Sequence, residues 1–574
     1  MAQVRFVDKR VMQHELFSKL SDMFGREVPM YDRALLINAT CNRSACDLLA
    51  QMYEGLSVSD EEIEKTSGER HGAIRIGRPD EYRWICRLFA CFAMEPHNFY
   101  DMTSIGAKSQ PVIATAFRST HRPDHRVFAS LLQTNYFDDA MRIRIEDLLS
   151  KRQVFTATAK ELIEKCELEG GLEQSDADQL IREASEHIFK WTGKARDPEL
   201  YHELCESGFK IAADIACFTT HHLNHLTPNT LCMDLYTAAM RKCLGEISDD
   251  DFLKLAQAAL ESMMMWMDQD ALVLHFKHLS SAQLRMYDRQ RVSKDAVTQL
   301  VGELLQQLSR DDHDLSRLQH NGFKDYTEGP SAEKLVLLRQ DAYKALTENV
   351  DFDNGQGEVI KIDHTARFGE IEQRYYATTP KGRALYDACI SEVNALLAAS
   401  PELPKQDPDQ FAVLRAEKFG SLPGTLGGLI GHGLVYGVYR ATEKGCSESG
   451  RIGWKAVEQL VQEGHVTVEG LRYEDFLPIS AAGIFASNLN QYGTDSTAQE
   501  RPTYSKQYLE DILGRSVIDT DTVYSGIEAK SLLDTYEQLG LVTAMPVEER
   551  EMLQQRVSAY ESVVSSDALH ELVG

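Results

Sequence analysis

Three histidines lie within five positions of one short segment, which reads TTHHLNHLTP over residues 219–228. His221, His222 and His225 could ligate a metal, since imidazole nitrogen is the commonest metal ligand among side chains. Pro228 favours an extended or turning backbone before it, in which His221 and His225 alternate with His222. A helical HxxxH zinc pair and a metal-free cluster are the alternatives. The segment alone leaves open which histidine, if any, binds a metal.

A second segment, ERHGAIRIG over residues 69–77, carries polar groups at strand spacing. In a strand, His71, Ala73 and Arg75 share one face because side chains alternate with a period of two. His71 and Arg75 would then lie roughly 13 Å apart along the strand. Polar residues beside alanine and glycine indicate the wall of a pocket. The alternative places His71 and Arg75 on the solvent face of an edge strand.

A third segment, RFGEIEQR over residues 367–374, places Glu370, Glu372 and Arg374 on one face of a strand. Burying such carboxylates is costly unless they are paired or bound to a metal. A solvated ladder of ion pairs is the alternative. Two histidines and one carboxylate are the facial triad of non-haem Fe(II) oxygenases. Candidates so distant in sequence predict a sheet that wraps around the metal.

The composition of the whole chain narrows the class of protein. The 574 residues are 43% hydrophobic and 26% charged, with a formal net charge of -27. A soluble, cytoplasmic protein is predicted, and neither nucleic acid nor an anionic membrane is an expected partner, because both require a basic face. The eleven cysteines are scattered and form no CxxC pair, which indicates reduced thiols. The N-terminus lacks the apolar region of a secretory signal.

Periodicity along the chain predicts an α+β protein whose β core is interrupted by helices. Apolar spacing predicts helices over residues 10–66 and 135–215, with strands at HGAIRIG, PVIATAF and RFGEIEQR. Ser293 is expected to cap a helix. We therefore divide the chain into residues 1–232 and 330–490, which form one catalytic α+β domain, residues 233–329, a helical insertion, and residues 491–574, a C-terminal helical segment.

Six motifs, in order along the chain, resemble the 2-oxoadipate dioxygenase/decarboxylase family, formerly a domain of unknown function. The resemblance covers roughly residues 27–232 and 329–490. The motifs are ERHGAIR (69–75), NHLTP (224–228), HTARFGEIEQR (364–374), TPKGRALYD (379–387), ATEKG (441–445) and YEDFLPISAAGIF (473–485).

The resemblance implies a central sheet similar to the vicinal-oxygen-chelate fold, with Fe(II) held by His71, His225 and Glu370. These residues and Arg75 would be catalytic. The implied substrate-binding residues are His71, Arg75, His225, Ile479 and Ser480, with Arg75 clamping the distal carboxylate. Glu372, His221 and His222 are not carried over as ligands.

The implied reaction converts 2-oxoadipate and O2 into 2-hydroxyglutarate and CO2, a step of lysine degradation in this family. Two other functions stay open from the residues: a zinc-dependent hydrolase or lyase that uses the same triad, and a non-catalytic binding or scaffold relative. One departure is Ile113, where the family commonly has a histidine, and this change could alter the substrate preference. The insertion could support a homo-oligomer or cover the site.

Overall fold

The fold combines helices with several sheets, which confirms the predicted α+β class. It is given by a computed structural model that describes residues 5–54, 56–68, 70–104, 109–121, 123–276, 288–477, 496–499 and 502–564.

The strands of the described residues fall into three sheets. They are β1 (Arg70–Ile76), β2 (Glu95–Asp101), β3 (Val112–Arg118), β4 (His125–Leu132), β5 (Lys194–Arg196), β6 (His225–Pro228), β7 (Leu338–Asp353), β8 (Val359–Arg374), β9 (Gly437–Ala441) and β10 (Val466–Gly470).

Helices surround the sheets and make up most of the N-terminal, middle and C-terminal parts of the chain. They are α1 (Lys9–Glu27), α2 (Pro29–Met52), α3 (Asp60–Gly68), α4 (Pro79–Ala90), α5 (Asp139–Ser150), α6 (Ala157–Glu169), α7 (Gln174–Glu183), α8 (Pro198–Glu206), α9 (Lys210–Cys217), α10 (Met233–Cys243), α11 (Asp249–Trp266), α12 (Gln269–His275), α13 (Lys294–Leu308), α14 (Pro380–Ala399), α15 (Leu403–Gln406), α16 (Pro408–Lys418), α17 (Leu426–Gly431), α18 (Glu443–Ser447), α19 (Val457–Gln462), α20 (Lys506–Leu513), α21 (Thr520–Gln538) and α22 (Val547–Val563).

The largest sheet has the strand order β2-β3-β4-β1-β6. Strand β1 pairs in parallel with β4 and antiparallel with β6, so it is interior to the sheet. His71 is opposite Thr227 and Ala73 is opposite His225, which places the polar face of β1 beside that of β6. The edge-strand alternative for His71 and Arg75 is therefore wrong.

A second sheet, ordered β5-β7-β8, meets the first sheet where β8 passes β6. The amide of Phe368 donates to the carbonyl of Asn224 at 3.3 Å. The amide of Thr230 donates to the carbonyl of Glu372 at 2.8 Å. These hydrogen bonds join β8 to the segment around β6. The three predicted polar segments thus become neighbours.

Apolar helix faces cover this core as the sequence pattern predicts. Leu16, Leu20 and Met23 of α1 are all buried. Ser293 caps α13 by accepting from the amide of Ala296, which confirms the predicted N-cap. Helices α10, α11 and α13 share a continuous apolar core with α2. In the described part of the chain, no helix has the length and apolar character needed to cross a bilayer.

Candidate metal centre

A cluster of two imidazoles and one carboxylate lies where β1, β6 and β8 meet. His71, His225 and Glu370 each offer one donor atom, and these atoms lie within 4.8 Å of one another. Oε2 of Glu370 is 3.2 Å from Nε2 of His71 and 3.3 Å from Nε2 of His225. All three residues are buried, with relative exposures of 2%, 5% and 5%. Among the described residues, no other group has this arrangement of metal donors.

Each of the three histidines in the TTHHLNHLTP segment has a different environment. His225 begins β6 and faces Glu370. Nε2 of His221 lies 3.3 Å from Glu81, and Nε2 of His222 lies 3.3 Å from Asp214. The extended backbone therefore brings only His225 into the cluster. The HxxxH alternative is wrong because the segment is not helical and His221 has another partner.

A second carboxylate orients His71. Oε2 of Glu372 lies 2.8 Å from Nδ1 of His71, and Glu372 is itself bound by Nε and Nη2 of Arg374 at 2.7 and 3.0 Å. Glu372 and Arg374 are 1% and 0% exposed. The solvated-ladder alternative is therefore wrong. A carboxylate on one imidazole nitrogen fixes the tautomer, so the other nitrogen presents its lone pair to the cluster.

The charge state of the cluster is set by burial and by these neighbours. Burial lowers the pKa of His225 to about 4, which leaves this imidazole neutral and able to donate its lone pair. Burial opposes ionisation of Glu370, but His225, His71 and the Thr227 hydroxyl, 3.0 Å from Oε2, hold the pKa of Glu370 below its usual value. Burial also disfavours protonation of His71, but Glu372 and Glu370 raise its pKa above the usual value.

The donor set fits a divalent transition metal. Two nitrogens and one carboxylate oxygen are the ligands of the facial triad, and a buried carboxylate can balance part of the ion's charge. Nδ1 of His71 lies 2.8 Å from Oε2 of Glu372, and Nδ1 of His225 is buried with no hydrogen-bond partner among the described residues. The cluster could therefore hold a metal through His71, His225 and Glu370.

Arg75 lies on the same face of β1 as His71, and it contacts a residue that the sequence analysis missed. Its Nη1 atom is 2.5 Å from Oδ2 of Asp214, with exposures of 4% and 1% for the two residues. Asp214 belongs to α9, whose sequence KIAADIAC is otherwise apolar after its first residue. A lone carboxylate in a buried helix was the signal that could have revealed this partner.

Three other positions were named from the sequence: Ile479, Ser480 and Ile113. Ile479 and Ser480 lie outside the described residues. Ile113 packs in the core with Ile74 and Ile76, whereas Ala73, on the face of His71, belongs to a different apolar cluster. Ile113 therefore points away from the metal cluster.

Comparisons with known proteins identify the family of this chain. A sequence model of the family described as "HGLS: 2-oxoadipate dioxygenase/decarboxylase" matches residues 16–249 and 303–488. A Pseudomonas putida protein named 2-oxoadipate dioxygenase/decarboxylase is 33% identical over 544 residues, which are 93% of this chain and 98% of the relative. An Escherichia coli protein of the same name is 30% identical over 526 residues, covering 90% and 96%.

A solved structure shows the same relationship. The crystal structure of the hydroxyglutarate synthase from Pseudomonas putida, in complex with 2-oxoadipate, has a TM-score of 0.65 and 30% sequence identity. The match covers 93% of this chain and 99% of that one. The resemblance read from the six motifs is confirmed: this chain belongs to the 2-oxoadipate dioxygenase/decarboxylase family of enzymes.

Proposed function

We propose that this protein is an Fe(II)-dependent dioxygenase that converts 2-oxoadipate and O2 into 2-hydroxyglutarate and CO2. The observation that carries the proposal is the buried cluster of His71, His225 and Glu370 in a chain of this family. That donor set is typical of non-haem Fe(II) oxygenases. The names of the relatives, and the 2-oxoadipate in the solved complex, support the substrate.

Iron held by His71, His225 and Glu370 would supply the redox chemistry by which O2 oxidises a 2-oxo acid. The residues around the cluster prepare it for this task. Glu372, 2.8 Å from Nδ1 of His71, favours a proton on that atom, and the Thr227 hydroxyl donates to Oε2 of Glu370. These contacts hold both ligands in fixed orientations, which preserves metal affinity.

We assign the distal carboxylate of the substrate to Arg75. A guanidinium binds a carboxylate through two parallel hydrogen bonds, and Arg75 lies along β1 from the ligand His71 on the same face.

Phe476 packs its ring edge-on against His71, with 5.0 Å between centroids, and helps to keep water out. The family resemblance supports Ile479 and Ser480 as further substrate contacts, although both lie outside the described residues.

We also propose that β1, β6 and β8 form the part of a vicinal-oxygen-chelate-like sheet that encloses the metal. The hydrogen bonds from Phe368 to Asn224 and from Thr230 to Glu372 support this arrangement. They allow ligands that are far apart in sequence to come from three adjacent strands.

The decisive experiment loads the protein with Fe(II) without oxygen, then adds 2-oxoadipate and O2. O2 consumption, CO2 release and 2-hydroxyglutarate, measured by an oxygen electrode and mass spectrometry, should appear in equal amounts. Zn-loaded protein is the control and should form no product. Conversion of 2-oxoadipate without O2 consumption and without 2-hydroxyglutarate would instead indicate a hydrolase or lyase, and no conversion of 2-oxoadipate with Fe(II) would indicate a non-catalytic relative.

Metal content identifies the ligands independently of turnover. His71→Ala, His225→Ala and Glu370→Ala should each lose iron, because two remaining donors hold Fe(II) poorly. His221→Ala and His222→Ala are matched controls from the same histidine cluster, and both should retain the metal. Loss of iron in His222→Ala with retention in His225→Ala would show that the assignment is wrong.

A further inference from the structure

Asp214 is the centre of a buried polar cluster next to the metal site. Oδ2 lies 2.5 Å from Nη1 of Arg75 and 3.3 Å from Nδ2 of Asn224. Oδ1 lies 3.3 Å from Nε2 of His222 and 3.2 Å from Nε2 of His364. All five residues are buried, with relative exposures of 0–4%. One carboxylate therefore faces one permanent cation and two imidazoles.

Asp214 and Arg75 form a buried ion pair before any substrate binds. Burial opposes ionisation of Asp214, yet the facing His222 and Arg75 hold its pKa well below the usual value. Burial lowers the pKa of His222, although Asp214 opposes this effect. The carboxylate of Asp214 thus already neutralises the guanidinium of Arg75.

The surroundings of the two imidazoles can accommodate one added proton. The Tyr201 hydroxyl lies 2.8 Å from Nδ1 of His364, and a hydroxyl can donate to a neutral imidazole or accept from a protonated one. Rings of Trp191 and Phe218 cover His222 and His364.

Arg367, a permanent cation that disfavours protonation of His222, is already paired. The positive charge of Arg367 helps to lower the pKa of His222. Arg367 itself forms ion pairs with Glu27 and Glu348. His221, the chain neighbour of His222, binds Glu81 instead. The carboxylate of Asp214 is therefore the charged group that contacts both imidazoles directly.

We propose that binding of the substrate's distal carboxylate at Arg75 is accompanied by uptake of one proton onto the His222–His364 pair. This inference rests on the proposed role of Arg75. A second carboxylate at a guanidinium that Asp214 already neutralises leaves a net negative charge in a buried site, and such a charge favours protonation of a neighbouring imidazole. Asp214 would then be the residue that couples carboxylate recognition to a proton.

The test compares two ligands that differ only at the distal end. Titration calorimetry of the Fe(II)-loaded protein without O2, in buffers of different ionisation enthalpy, gives the protons taken up by 2-oxoadipate and by 2-oxohexanoate. The chelating ends are identical, so the difference isolates the distal carboxylate. We expect 2-oxoadipate to take up about one more proton than 2-oxohexanoate on binding. The ratio of the affinity for 2-oxoadipate to that for 2-oxohexanoate should then fall by up to about tenfold for each unit rise in pH.

Two variants assign the proton to this cluster. Asp214→Asn keeps the size of the side chain and removes its charge, and its amide group can face His222 and His364 if they change tautomer. The extra proton uptake should be lost in this variant. Glu81→Gln is the matched control, because Glu81 pairs with Arg152 and His221 in a second buried network of a carboxylate, an arginine and a histidine, and this variant should keep the uptake.

The possible outcomes separate this inference from the proposed function. Selective binding of 2-oxoadipate with the same proton number as 2-oxohexanoate would overturn the inference and leave Arg75 as the clamp. Equal affinity for the two ligands would overturn both. Extra uptake that persists in Asp214→Asn would place the proton elsewhere and also overturn it. The comparison on unmodified protein decides the matter even if a variant does not fold.

Discussion

At the scale of single residues, the partner of each polar group determines its role. His221, His222 and His225 lie in one segment, yet one binds Glu81, one binds Asp214 and one faces Glu370. A buried imidazole needs such a partner because an unpaired polar group in the interior is costly. Glu370 also faces His71, whereas Glu81 binds Arg152 and Asp214 binds Arg75, so the second partner of each carboxylate distinguishes the candidate metal ligand from the structural histidines.

Replacing Glu372 by Gln should weaken metal retention without removing a ligand. Glutamine can still accept from Nδ1 of His71, but the negative charge that raises the basicity of the imidazole is lost, and Arg374 loses its ion pair. Loss of such an outer carboxylate typically reduces metal affinity about 10–100-fold. Competition with a metal-chelating dye measures the change. Unchanged affinity would show that Glu372 only pairs with Arg374.

Replacing Arg75 should affect the dicarboxylate selectively. Arg75→Lys keeps a charge but loses the planar fork, so we expect 2-oxoadipate to bind at least about tenfold more weakly. Arg75→Ala should cost about 2–5 kcal/mol of binding free energy, part of which reflects the negative charge of Asp214 that Arg75 no longer neutralises. Iron content should stay near that of the unmodified protein in both variants.

The control for Arg75 is again 2-oxohexanoate, which lacks the distal carboxylate. Its weak binding should hardly change in Arg75→Ala, as measured by anaerobic calorimetry. If 2-oxohexanoate loses as much affinity as 2-oxoadipate, Arg75 is not a distal clamp. It would then contact the chelating end of the substrate or support β1.

At the scale of elements, the sequence predicted individual helices and strands better than it predicted which strands pair with one another. Period-two alternation identified the strands that carry His71 and Glu370, and the cap at Ser293 was predicted from its residue type. The central position of β1 depends on pairing with β4 and β6, which are distant in sequence. Local patterns contain no information on such pairing.

The same limit applies to the candidate site. The resemblance named His71, His225 and Glu370, and the structure brings them together. Asp214 was missed because its partner Arg75 is 139 positions away. The pattern of Glu372 and Arg374 is the same in a solvated ladder as in a buried pair, so only the tertiary fold could distinguish the two.

The pairing of β7 with β8 next to Glu370 requires a glycine. Gly369 is opposite Tyr343, and a Cβ at this position would lie 2.0 Å from Cε1 of the Tyr343 ring. Gly369→Ala should therefore shift the ring or the strand, cost about 1–3 kcal/mol of folding stability, and displace the adjacent Glu370. Urea unfolding and iron content measure the two effects.

A double-mutant cycle with Tyr343→Ala provides the control. If the contact causes the defect, Gly369→Ala should cost much less in the Tyr343→Ala background, because the space taken by the ring is then empty. An equal cost in both backgrounds would show that the glycine is needed for another reason.

At the scale of the whole molecule, two electrostatic effects oppose each other as the pH falls. The formal net charge of -27 is reduced by protonation, which relieves self-repulsion and favours the compact state. Buried histidines act in the other direction. Burial lowers the pKa of His97 to about 3 and that of His225 to about 4, and it also lowers the pKa values of His221 and His222.

We expect the buried histidines to dominate, so that metal-free protein loses stability as the pH falls from about 7 to about 5. In this window an unfolded histidine, with a pKa near 6.5, binds a proton that the folded form excludes. Each such residue contributes a slope of up to about 1.4 kcal/mol per pH unit. His71 opposes the trend, because its folded pKa is raised and its contribution is present below pH 6.5 or so.

Urea unfolding at several pH values, at an ionic strength near 0.15 M to screen surface charges, measures the balance. His97 isolates one contribution, because β2 and β6 are at opposite edges of the largest sheet and Nε2 of His97 is buried with no hydrogen-bond partner in the described part of the chain. His97→Asn cannot be protonated, so the slope should flatten by as much as about 1.4 kcal/mol per pH unit. A slope unaltered by His97→Asn, or stability that rises on acidification, would mean that relief of surface repulsion governs the pH response of this acidic protein.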